Sequence, residues 1–203
     1  MTHDLITAKN KILLARSNLE QIVYNLKKSG YRFANPDYIF IPPPQNIQKQ
    51  IEEFETIVGK IPVFLRLAFE FLGSFNLMGE HPEWPKTGNI KLRSVKNEED
   101  VWFTDPFVFA SLDLILEDTE GWDGVDNFAL SFSGDSMTKA GYSGGLYSIM
   151  IPAIEEDPCI AGNEENLSFM EYLAVSVCYG RFAGFKNIPE RPQDFINNII
   201  KTF

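Results

Sequence analysis

The 203-residue chain carries 28 Asp and Glu against 18 Lys and Arg, a formal charge of −10, and 44% of its residues are hydrophobic. That is enough apolar material to bury a substantial core, roughly 70% of the unfolded surface at this size, with one domain as the default count. No run reaches the ~20 apolar residues of a membrane-spanning helix, because even Ile61 to Leu77 is broken by Arg66 and Glu70.

The opening Met1-Thr2-His3-Asp4 lacks the basic and apolar regions of a secretory signal, so a cytoplasmic location is expected. Two cysteines, Cys159 and Cys178, have neither CxxC spacing nor a histidine neighbour and read as buried small hydrophobes. The charge is unevenly spread. Residues 1–60 hold eight Lys/Arg and six Asp/Glu, whereas residues 97–170 hold sixteen acids against the single Lys139, a formal −15. Such a stretch repels phosphate backbones and anionic lipid and attracts basic surfaces. Nucleic acid and membrane are therefore disfavoured and a basic protein partner is expected, with plain solubility as the bland alternative.

From Asp4 to Ser29 the residues Leu5, Ile12, Leu19, Ile22, Val23 and Leu26 recur at helical spacing, with Lys27 and Lys28 at the negative end and Gly30 beyond. This predicts an amphipathic helix stopped by glycine. The stiff Ile41-Pro42-Pro43-Pro44 connector follows, so the leading helix is expected to be an appendage docked on the main domain. Asn46 can cap a second helix with the stripe Ile47, Ile51, Phe54 and Val58, ended by Gly59. Pro62 opens a third, with Phe64, Leu65, Ala68, Phe69 and Leu72 apolar and Gly73 at the exit. Short joining residues make these two near neighbours.

After Gly73 the pattern alternates. Residues 74–79, Val101 to Phe103, Phe107 to Phe109, Asn127 to Phe132 and Leu146 to Ile151 read as short strands of an antiparallel or mixed sheet. Ser168-Phe169-Met170-Glu171 matches a capping box that starts an apolar helix through Leu173, Val175 and Val177. A last helix begins near Pro192 and runs through Phe195, Ile196, Ile199 and Ile200.

Three constellations suggest chemistry. Gly141-Tyr142-Ser143-Gly144-Gly145 fits the G-x-S-x-G elbow, but the base of that triad must follow the serine. The two histidines, His3 and His81, both precede it, so the reading is a glycine turn. Glu80, His81 and Glu83, with help from Asp105, offer ligands for a divalent ion. A catalytic zinc site commonly takes two or more histidines, and the expectation is instead a turn with Trp84 as a lid and the polar groups solvated. Acidic pairs among Glu117, Asp118, Glu120, Asp123 and Asp126 are too many to single out a glycosidase couple, and Asp123 to Asn127 lacks the spacing of a calcium loop. No catalytic residue, metal or cofactor is expected.

Taken together, Ile51-Glu52-Glu53-Phe54-Glu55, Ile61-Pro62 and Phe69 to Gly73 resemble the opening of the SUKH superfamily. The Gly79 to Trp84 turn, Asp105-Pro106, Ser143-Gly144-Gly145 before Tyr147, Phe169 to Leu173 and Phe182 to Phe185 follow in the same order. The likeness covers residues 46–203. It implies an α+β domain with a mixed, mainly antiparallel and strongly curved sheet flanked by helices, preceded here by an extra segment at residues 1–45. Many bacterial members are immunity proteins that neutralise secreted toxins, often nucleases, by direct binding. The leading helix and the acidic middle depart from the minimal pattern. On this reading the partner-binding residues are Asp113, Glu117, Asp118, Glu120, Asp123 and Asp126, which would steer a basic toxin, with Trp122 as the buried anchor. The alternative is an intracellular adaptor or regulatory scaffold without catalytic activity, using the helices of the same fold and the Pro-linked leading helix as its contact surface.

Overall fold

A computed structural model describes residues 3–84, 91–93, 100–102, 108–134, 145–163, 165–180 and 192–199. Helix α1, His3–Ser29, keeps its two lysines in the last turn, and Gly30 follows at φ +90°, where a side chain would be strained. One face of α1 is wholly buried through Ile12, Ala15, Leu19, Ile22 and Leu26. That face packs on α3, Val63–Phe71, on α5, Phe169–Cys178, and on α6, Gln193–Ile199. The helix is docked on the rest of the chain as expected, and its apolar stripe joins the same core, because it is the surface that three other helices need to cover theirs.

The segment after α1 is clamped rather than free. Strand β1, Arg32–Phe33, pairs antiparallel with β4, Gly79–Glu80, and β2, Phe40–Ile41, with β3, Ser74–Phe75. Gly79 lies so close to β1 that a Cβ there would overlap the Arg32 carbonyl oxygen. Arg32 and Glu80, opposite each other in the register, form an ion pair.

Helix α2, Ile47–Val58, buries Ile51, Phe54 and Val58 and ends at Gly59. Asn46 stands at its start without a side-chain cap bond, and the Ile47 amide donates to the Pro44 carbonyl instead. Helix α3 buries Leu65, Ala68 and Phe69 and packs beside α2 as expected. Arg66 of α3 pairs with Glu55 of α2.

Strands β5, Lys91–Arg93, and β6, Asp100–Trp102, pair antiparallel. Helix α4, Leu112–Asp118, follows and continues as a 3-10 turn over Thr119–Gly121. Its apolar residues Leu112 and Ile115 face inward against α2. Strand β7, Phe128–Gly134, pairs antiparallel with β8, Leu146–Ile151, with a register shift between Ser131 and Ser133. Along β7 Phe128, Leu130 and Phe132 point to the core and Ala129 and Ser131 to solvent, the period-two pattern of a half-buried strand. Ser148 of β8 also bridges Ala161 on its other side. The α5 capping box forms in full, with Ser168 and Glu171 each bonding the other's backbone amide.

The fold is α+β, and every described strand pairing is antiparallel. Among the described residues Phe54, Phe75, Phe109 and Phe169 are the largest fully buried side chains, and Phe69, Phe75, Phe132 and Phe169 gather around Phe109. Among the described residues no helix is long and apolar enough to cross a membrane. Cys159 and Cys178 are exposed, not buried as expected. Cys159 lies in an isolated bridge to Ser168 and alternates outward between buried Pro158 and Ile160, and Cys178 is the last residue of α5, next to buried Val177 but on its exposed side.

Candidate functional site

The turn at residues 79–84 is a packed structural corner. His81 is buried, its Nδ1 accepts the Glu83 amide at 3.2 Å, and its Nε2 donates to the Ser29 carbonyl at 2.8 Å. Both ring nitrogens are therefore occupied, which takes the imidazole out of service as a ligand. Trp84 stacks on His81 at 4.7 Å and tilts against Tyr31 at 5.6 Å, so the lid expectation holds while the solvated histidine does not. Glu80 is spent on Arg32. No metal-binding cluster exists among the described residues. Asp105 and Ser143 lie outside them.

The acidic segment runs along the outside of α4 and into the loop after it. Asp113 and Glu117 are one turn apart, and so share a face of the helix. Asp118 ends α4, Glu120 sits in the 3-10 turn, and Asp123 and Asp126 occupy the loop before β7. All six are exposed, and among the described residues none of them forms an ion pair. Asp123 Oδ1 accepts the Val125 amide at 3.0 Å, which shapes the loop tip. Trp122 is half-buried: its ring meets Phe128 edge-on at 5.9 Å, and its indole N–H donates to the Asp126 carbonyl at 3.1 Å. Its indole fastens the acidic loop to the core.

Strand register then brings in residues that the sequence reading passed over. Phe128 stands opposite Ile151, so loop 122–127, entering β7, and loop 152–157, leaving β8, lie at the same end of the pair. The second loop carries exposed Glu155 and Glu156. Each loop also offers an apolar tip, Val125 at 80% exposure and Ile154 at 100%. Beneath them Pro152 lies against Gly59 at the end of α2, and the Glu156 carbonyl accepts the Phe64 amide at the start of α3. A signal existed in the run Ile154-Glu155-Glu156-Asp157. What joins it to residues 123–126 is the pairing register, which no local pattern encodes.

Asp157 closes this loop and differs from its neighbours. Its Oδ2 accepts the Ser168 hydroxyl at 2.7 Å and its Oδ1 the Met170 amide at 3.0 Å, tying the loop to the start of α5. Burial raises its carboxyl pKa above the ordinary 3.8, and the nearby Glu171 charge pushes the same way, against the lowering effect of those hydrogen bonds.

No family model, curated protein or solved structure matches the chain. What fold and surface define is a class: an α+β domain in which two loops at one end of the β7–β8 pair carry exposed carboxylates, with no ion pair among the described residues, and exposed apolar tips.

Proposed function

We propose that this chain is a cytoplasmic, non-catalytic protein-binding domain of the SUKH immunity type, which neutralises a basic toxin by covering it. The observation that carries the reading is the pair of acidic loops at one end of β7 and β8, with Val125 and Ile154 exposed at their tips. Single exposed hydrophobics are ordinary, but two of them on acidic loops at one end of a strand pair supply both ingredients of an interface, apolar contact and charge. The carboxylates steer encounter with a cationic surface, and the apolar tips supply contact once water is expelled. Trp122 supports this surface from below.

The experiment is binding of the purified chain to the toxin domain encoded beside its gene. The triple variant Asp118→Lys, Asp123→Lys, Asp126→Lys should slow association at least tenfold at low salt and abolish protection of cells expressing the toxin. Unchanged association at low salt, or the lack of any toxin gene alongside, would sink the proposal.

A second reading, an intracellular adaptor, draws on one observation. Ile6, Leu13 and Tyr24 on α1 are exposed and spaced seven and eleven residues apart, which returns to the same outer face of a helix. Ile6→Ser with Tyr24→Ser separates the two, since only the adaptor reading loses its partner.

A further inference from the structure

Beside α4 two shallow hollows, of about 290 and 380 Å³, share the walls Tyr38, Ile41, Ser74, Ala110 and Leu114. Each lies near the lower end of the roughly 300–1,000 Å³ range of sites that enclose a small molecule, and both are open to solvent. They suit side chains presented by another protein. Tyr38, Ile41 and Leu114 are 53%, 36% and 47% exposed, so three of the largest uncovered apolar side chains stand around one groove. Among the described residues the charged side chains lining it are both carboxylates, Asp113 and Glu117, one helical turn apart. The Oε1 of Gln50, which also lines the groove, has no hydrogen-bond donor among the described residues.

We infer that this groove is the anchor slot for the basic partner and takes one large apolar side chain flanked by arginine. Charge complementarity selects that occupant. A leucine or phenylalanine fills the space between Ile41 and Leu114, while a guanidinium reaches Asp113 and Glu117 and lies against the face of Tyr38. An acidic or neutral segment would leave both carboxylates facing an uncompensated interface. The inference rests on the protein-binding reading and adds a second contact region, on the α4 side of the acidic segment.

The test uses the full chain with methyl and amide NMR and three synthetic peptides: Arg-Arg-Leu-Arg-Arg, the same with serine for leucine, and Glu-Glu-Leu-Glu-Glu. The first should shift the signals of Tyr38, Ile41 and Leu114, and the other two should leave them in place. Leu114→Ser and the pair Asp113→Asn, Glu117→Gln should each weaken that peptide about tenfold with the remaining spectrum unchanged, which separates loss of binding from loss of fold. Shifts confined to Val125 and Ile154 would overturn the groove and leave the toxin-binding proposal standing. No shift at millimolar peptide, or equal response to the serine peptide, would also overturn it. Should the groove bind while the toxin assay fails, the slot is real and the immunity reading is wrong.

Discussion

Asp157 is a carboxylate placed where burial penalises its charge. Its folded pKa lies above the ordinary 3.8, with burial as the main cause. An acid raised in this way contributes stability that is fully present below its unfolded pKa and lost as pH rises through the folded value. Asp157→Asn keeps an oxygen for the Met170 amide and removes the ionisation. Its stability relative to the parent should therefore improve as pH climbs from below about 4 toward neutrality, read by urea unfolding at several pH values. A difference that stays constant across that window would show that the carboxyl titrates normally. Gly79 is constrained in another way, by the approach of β1. Gly79→Ala must push apart the Arg32 carbonyl and the Tyr31 ring, whose Cε1 would stand 2.6 Å from the new atom. A loss of about 1–3 kcal/mol is expected, seen as a lower denaturant midpoint with an unchanged m-value. Residue roles of this kind were only partly legible. Trp84 as a packed lid follows from its turn, whereas the occupied nitrogens of His81 depend on Ser29, far off in the chain.

Among the elements, those with a strong period and a marked end could be read closely. Helix α1 ends at its glycine, α5 begins at its capping box, and β8 spans the Leu146 to Ile151 run. Helix α4 was not anticipated, although Ser111 precedes it, Asp113 sits in its first turn, and Leu112 and Ile115 are three apart. Seven residues give too short a window for a helical period to stand out, and packing on α2 supplies what propensity does not. The role of α1 was hidden for a related reason: an apolar stripe shows that a face is buried, not whether it is buried at the edge or at the centre. Its central place makes a sharp prediction. Leu19→Ala should cost about 2–5 kcal/mol, and removal of residues 1–44 should abolish cooperative unfolding, because the inner faces of α3, α5 and α6 lose their cover. A truncated chain that still melts cooperatively by circular dichroism would mean that the leading segment is an addition after all.

Across the whole molecule, the excess of acid over base was plain from the sequence, and its geometry was not. Counting charges marks residues 97–170 as acidic, yet only the β7–β8 register sets Glu155 and Glu156 beside the loop of Asp123 and Asp126. If both loops contribute to one potential, neutralising either pair should slow association with a basic partner, and neutralising both should slow it further. Steering acts on encounter, so the dissociation rate should hardly move. Ile154→Ser should do the reverse, speeding dissociation with little effect on association, because an apolar tip matters only after contact. Ionic strength distinguishes the two kinds of variant. With a screening length of about 10 Å at about 0.1 M salt, raising salt should erase the difference between the charge variants and the parent and leave the Ile154→Ser defect intact. Stopped-flow association at several salt concentrations reads both rates. Charge variants whose defect persists at high salt would place these carboxylates in direct, desolvated contacts, and the steering account would give way to one of specific pairing.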